Sequence, residues 1–338
     1  MKFRYIHTYT PSRVTYCCTV TGRTVTISNE EGVIQGEPLA GWLYDGAMTS
    51  RIGPLRTAPA HRINILPSLH DDLVVLGPVG PAFALVDALR PHMAASHQNI
   101  ENGKCEALSS SEQGVALEVA QHAATRGIPV APGGFVVGGV PVGTVEFKET
   151  HLESKLHETL RLLRLLTDVA GETTFPAGFP VIQSVVRTIR MCIPSRLNYL
   201  WRTVAPSITA QFADRLDKRV FEDVIGICGH NSNTLDTDNV PAAHTARLRF
   251  FLPAALGGFG FTLSSAIVEA AFIGSWSLTG RLVAHIVGEG QLMEAGVMQR
   301  LGLESALGEL QQREGPELLE SVKAVSYTHL TLPTIYSV

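Results

Sequence analysis

Charge is sparse and unbiased in this chain. Asp, Glu, Lys and Arg make up 17% of its 338 residues, and 27 Lys plus Arg stand against 31 Asp plus Glu for a net of −4. The whole-chain basic excess that announces a nucleic-acid partner is missing, so any such partner has to be read locally. Cysteine is equally thin. The five present (Cys17, Cys18, Cys105, Cys192, Cys228) are odd in number and lack paired-ligand spacing, which excludes a cysteine-based metal pattern and fits reduced thiols in an intracellular setting. The twelve histidines show no zinc-like pairing. Lys2 and Arg4 lead into Tyr5, His7, Thr8 and Tyr9 instead of an apolar core with a cleavage site, so secretion is not indicated. A P-loop, a Gly-x-Ser-x-Gly elbow, a His-Glu-x-x-His pair and a solenoid repeat are all absent, and Ser275-Trp276-Ser277 lacks the glycines of a nucleophile elbow.

Long apolar runs are also scarce. Phe250 to Val268 carries no charge, but Pro253, Gly257, Gly258, Gly260, Ser264 and Ser265 would break a spanning helix, so the segment reads as helices buried against protein and no membrane partner is expected. What the chain does have is 45% hydrophobic residues, enough for one or two domains with a sizeable core. Val14 to Val20 and Arg23 to Ser28 read as antiparallel strands about a tight turn at Thr21-Gly22. Ala40 begins a helix, and Phe83, Val86, Leu89 and Met93 mark another over Ala82 to Ala95. Gly114 to Thr125 is a further helical candidate, followed by short strands about Gly133-Gly134 and Gly138-Gly139. The character changes near residue 150: from His151 on, Leu152, Leu156, Leu160 and Leu163 share one helical face, and Lys155, Glu158, Arg161 and Arg164 mark the solvated one.

The residues with chemical potential are few. Asp71-Asp72 lies between the apolar runs Ile63 to Leu66 and Leu73 to Leu76, which would project adjacent carboxylates from a hairpin turn. Hard divalent cations want such oxygen ligands, although an Asp pair is also an ordinary solvated turn. Between Val181 and Val220, seven basic residues (Arg187, Arg190, Arg196, Arg202, Arg215, Lys218, Arg219) stand against Asp214 and Asp217, the most basic stretch of the chain. Its alternative reading is a solvated helix face.

Taken in order, several short segments resemble the reverse transcriptases of non-LTR retrotransposons. Glu31-Gly32-Val33-Ile34-Gln35-Gly36-Glu37-Pro38-Leu39 resembles the motif after the first catalytic aspartate, with Glu37 where that family has Asp. Leu69-His70-Asp71-Asp72 followed by Leu73 to Pro78 resembles the aspartate-pair hairpin, with Leu69 in place of the usual aromatic. Asn102-Gly103-Lys104-Cys105-Glu106 is similar to the next motif, and Phe135 to Gly143 to the turn that grips the primer. Pro194 to Val204 and Leu256-Gly257-Gly258-Phe259-Gly260-Phe261 resemble later segments. The likeness runs over about residues 3 to 280.

The resemblance implies an α+β fold: a partial right-hand polymerase palm (antiparallel sheet with helices) over 1–150, then a mostly helical thumb-like region over 151–230. A connection region with buried helices follows over 231–290, and an amphipathic helical tail over 291–324. Val325 to Thr334 resembles the translation of a synthetic sequencing adapter, which makes 325–338 an artefactual tail outside the fold. By the same resemblance Asp71 and Asp72 would bind Mg²⁺, with Mn²⁺ as substitute, while Gln35 and Gly36 would meet template and incoming nucleotide. Lys104 would stabilise or protonate the pyrophosphate, with an ordinary surface lysine as the equal alternative. Gly138, Gly139 and Pro141 would form the primer grip, and Arg187, Arg190, Arg196 and Arg202 would contact phosphates of an RNA or DNA template–primer. The implied reaction is template-directed transfer of deoxynucleotides. The family's first palm aspartate should precede Glu31, yet the first aspartate here is Asp45 and no carboxylate comes before Glu30, so the chain is expected not to extend a primer alone. Two other readings stand beside this one: a non-catalytic nucleic-acid-binding module, and a structural helical interaction protein.

Overall fold

The computed structural model describes residues 12–17, 24–29, 40–58, 66, 68–69, 72–95, 98–109, 116–171, 181–229, 241–287 and 302–314. Its chain divides into two compact units, one of residues 1–109 with 115–130, the other of 110–114 with 131–338. Most described residues are helical and the strands form small antiparallel ladders, so the architecture is α+β. Among the described residues each ladder has two strands. No helix among them is long and apolar enough to cross a membrane.

In the first unit, β1 (Ser12–Cys17) pairs with β2 (Thr24–Asn29). Cys17 lies opposite Thr24, whereas a turn at Thr21-Gly22 would have set it opposite Thr26. The two-residue difference preserves which residues share a face, because side chains alternate with period two; hydrophobic alternation alone is blind to such a slip. Helix α1 (Ala40–Thr57) buries Met48, Ile52 and Leu55, at i, i+4 and i+7, against Leu85, Leu89 and Met93 of α2 (Val79–Ala94). Between them β3 (Ser68–Leu69) and β4 (Asp72–Leu73) form a minimal hairpin, shorter than the apolar run Leu73 to Leu76 suggested. Leu73 and Val75 pack on the α1–α2 core instead of extending the ladder. Helix α3 (Leu117–Ala124) closes a smaller cluster of Phe83, Ala123 and Ile128, with Ala107 bridged in parallel to Val130.

In the second unit, β5 (Gly134–Val137) and β6 (Val140–Gly143) lead into α4 (Val145–Gly171). This helix starts six residues before the expected His151, because Thr144 caps it: its Oγ1 accepts the Phe147 N–H at 3.2 Å. The expected stripe is inside, with Leu152, Leu156 and Leu163 buried and Leu160 packed beside them. Helices α5 (Val181–Cys192), α6 (Asn198–Thr203), α7 (Pro206–Ile227), α8 (Pro241–Phe251) and α9 (Ser264–Val287) surround the same core. Pro206 opens α7 at a position where its missing N–H costs nothing, and Phe212, Leu216, Val220 and Val224 line its buried face. Helix α10 (Leu303–Glu314) packs Leu303, Ala306 and Leu310 on Phe272 and Ile273 of α9.

Two carboxylates among the described residues are buried in this unit, Asp217 and Glu269. Asp217 of α7 is buried and accepts the backbone N–H groups of Ser264 and Ser265 at 2.9 and 2.8 Å, so a residue 47 positions away caps the first turn of α9.

Candidate functional site

Each unit holds its own share of the residues singled out by sequence. In the first, the register sets Asp72 opposite Leu69, at the start of the return strand. Leu73 is held by the core, and because successive side chains on a strand point to opposite faces, Asp72 faces solvent and is exposed. Asp71, Gln35 and Gly36 lie outside the described residues.

Lys104 ends a 3₁₀ turn over Asn102–Lys104 whose position is fixed by polar contacts that the sequence does not announce. Arg90 of α2 donates to the Asn102 side chain and to the Ile100 carbonyl, and Asn102 Nδ2 donates to the Arg126 carbonyl at 2.6 Å. Arg126 in turn forks onto both oxygens of Asp87, at 2.6 Å from Nη2, and lies over the Phe83 ring, itself stacked on His122. The Arg126 hydrogen bond holds the Asp87 carboxyl below its ordinary range. The turn is therefore well braced, yet Lys104 itself points into solvent with Glu101 as a surface partner at 3.3 Å. That geometry is the one an ordinary surface lysine shows.

In the second unit, Gly138 and Gly139 are the two residues of a tight hairpin loop, with φ of +54° and +83° and Val137 paired to Val140. Both central residues of such a turn need positive φ, which is why the Gly-Gly dipeptide is legible as a turn. Pro141 is buried in β6 opposite Val136. The loop is braced from below by α6: a Cβ on Gly139 would meet Tyr199 at 3.6 Å. Burial pushes the pKa of His151 of α4 down, with Lys155 adding to the effect, while the nearby Gly139 backbone and Glu158 oppose it. At the base of the hairpin the backbones touch. A Cβ on Gly143, whose φ is +149°, would fall 2.2 Å from the Gly133 carbonyl oxygen, and one on Gly134 would fall 2.5 Å from both Phe147 and the Val142 carbonyl oxygen.

The basic stretch sorts into two halves. Arg215 forks onto Glu153 of α4, Arg219 reaches Asp223 at 3.0 Å, and Lys218 lies 3.9 Å from Glu222. Arg187, Arg196 and Arg202 are exposed and, among the described residues, enter no ion pair. Arg190 is half-buried and donates to the Phe259 carbonyl at 3.3 Å. The positive potential thus belongs to α5, the 3₁₀ turn Pro194–Leu197 and α6, a stretch from Val181 to Ala213 without a single carboxylate. The apparent excess extending to Arg219 is neutralised by acids from the same helix and from α4.

A groove of 630 Å³ that sequence reading did not foresee runs between the C-terminal parts of α4 and α7. Asp168, Glu222 and Asp223 line it with Arg219, and burial raises the Asp223 pKa against the pull of Arg219. Glu222 and Asp223 are tied to Arg219, and among the described residues no group of three or more His, Cys, Asp or Glu gathers to hold a metal ion. Asp72 supplies one carboxylate where Mg²⁺ requires a nearly octahedral oxygen shell, so the described residues alone do not make a Mg²⁺ or Mn²⁺ centre. No protein-family model, curated protein or solved structure matches the chain.

Proposed function

We propose that the chain is a portion of a retroelement RNA-directed DNA polymerase, the later part of a palm followed by a thumb, which holds template–primer and does not by itself extend it. The observation that supports this most is Asp72 on a core-anchored antiparallel hairpin, at the end of the resembling segment Leu69 to Asp72. The braced Gly138–Gly139 hairpin and the carboxylate-free arginines of α5 and α6 follow it in the order that the resemblance implies. Nucleotidyl transfer by two metals needs carboxylates converging from at least two strands, and on the described strands Asp72 is the one acidic residue.

In a primer-extension assay with Mg²⁺ or Mn²⁺, this polypeptide is expected to give no incorporation above background while still shifting a labelled template–primer. Robust extension that is lost in Asp71→Ala would overturn the inactive reading. The triple variant Arg187→Ala, Arg196→Ala, Arg202→Ala is expected to weaken template–primer binding and to flatten the slope of log K against log salt by about 2 to 3, roughly one per phosphate contact removed. An unchanged slope would take the arginines out of the interface.

A second reading, a non-catalytic nucleic-acid-binding module, is favoured by those same unpaired arginines. It predicts a steep salt slope with no response of binding to Mg²⁺ or to substitution of Asp72.

A further inference from the structure

The segment Leu252 to Phe261 uses backbone conformations open to glycine to present apolar side chains to water. Gly257 and Gly260 sit at φ of +80° and +71°, and a Cβ on Gly258 would fall 2.1 Å from the Leu252 carbonyl oxygen, so three glycines are required where they stand. Four backbone hydrogen bonds fold the loop onto the end of α8: Gly258 N–H to the Pro253 carbonyl, Phe259 to Arg249, Gly260 to Leu252 and Phe261 to Phe250. Phe261 is inside, stacked on Phe250 at 4.2 Å. Leu256 and Phe259 are outside, 71% and 56% exposed. A rigid loop that anchors one aromatic ring and leaves its neighbour two residues earlier in solvent is shaped for contact.

The charge around it selects the partner. Arg190 binds the Phe259 carbonyl, Arg187 lies one turn before it on α5, and Arg249 stands where the loop returns to α8. Neither Val181 to Ala213 nor Pro241 to Val268 contains an Asp or Glu. We infer that Leu256 and Phe259 form a stacking platform for unpaired bases of a single-stranded nucleic acid, whose phosphates are met by Arg187, Arg190 and Arg249. The proposed function speaks for phosphate contacts along a duplex; this inference rests on that reading for the nucleic-acid class of the partner and adds an unpaired segment beside the duplex. An aromatic face flanked by guanidinium groups accepts any base, so the contact is tolerant of sequence.

The test compares binding of a labelled blunt RNA–DNA duplex with binding of the same duplex carrying a single-stranded extension, by fluorescence anisotropy. Wild type is expected to bind the extended form about tenfold more tightly, the scale of one stacked base. Phe259→Ala should erase that increment and leave the blunt duplex unaffected, while Phe259→Trp should retain it; matching thermal melts show that the exposed substitution leaves folding intact. No increment in wild type, or an increment that survives in Phe259→Ala, overturns the proposal. Phe259-dependent binding to phosphatidylserine vesicles without discrimination between the two duplex forms overturns it in favour of a lipid surface. Absence of blunt-duplex binding, with Phe259-dependent binding of the free single strand intact, supports the platform and removes the duplex reading instead.

Discussion

Asp217→Ala is expected to cost the second unit about 3 kcal/mol of stability, read as a lower midpoint in urea denaturation. The first N–H groups of a helix have no partner within it, and at the start of α9 two of them end on the Asp217 carboxylate in a region closed to water. Alanine leaves both donors buried and unsatisfied at about 1–3 kcal/mol each, partly offset by relief of the buried charge. Asp217→Asn keeps the shape and one acceptor, so it should lie between wild type and alanine. The pH dependence carries its own sign. Burial holds the Asp217 pKa above its ordinary value, against the pull of the two serine N–H groups. The folded protein therefore keeps this proton to higher pH than the unfolded chain does, and the associated stability is full below the unfolded value and declines as pH rises through the folded one. The gap between wild type and Asp217→Asn should be wider near pH 4 than at pH 7. A gap that widens towards neutral pH would mean that the two hydrogen bonds outweigh desolvation.

Gly143→Ala is expected to open the β5–β6 hairpin at a cost of about 2–4 kcal/mol. Its φ lies in the region closed to L side chains, and the atom that a methyl group would strike is a backbone oxygen, which no rotamer change can move aside. Gly138→Asn, at the tip of the same hairpin, should cost well under about 1 kcal/mol, because Asn tolerates the left-handed conformation that the loop requires. Hydrogen exchange of the Val136 to Val142 amides would report the difference. Equal protection in wild type and Gly143→Ala would show that the backbone can part at Gly133 without loss.

The contrast between these glycines shows what can be read along a chain. The Gly138-Gly139 turn and the Leu152, Leu156, Leu163 face were legible because their cause is local, a positive φ or a helical period. Asp217 was counted only as one acid among basic neighbours, since its partners lie 47 and 48 residues away and no periodicity connects them. The same distance effect led the basic stretch to be overdrawn: Arg215 is neutralised by Glu153, 62 residues earlier. Thr144 is a local cap signal in the sequence, but the leucine spacing that marks the helix starts only at Leu152, about two turns further on. Of the candidate site, the order of the hairpins and the placement of Asp72 were legible; the bracing of the Asn102–Lys104 turn by Arg90, Arg126 and Asp87 was not, being assembled from three elements.

Pro141 also settles how far the second hairpin can grow. With Val137 and Val140 closing a two-residue loop, the next pair, Val136 and Pro141, turns its main-chain polar groups outward. A third strand arriving at the β6 edge would find no amide proton at the middle of the rung, so recruitment of a neighbouring chain by edge pairing stops there. The hairpin that carries Gly138 and Gly139, packed against Tyr199, is thereby closed to strand addition along that edge by one imino acid.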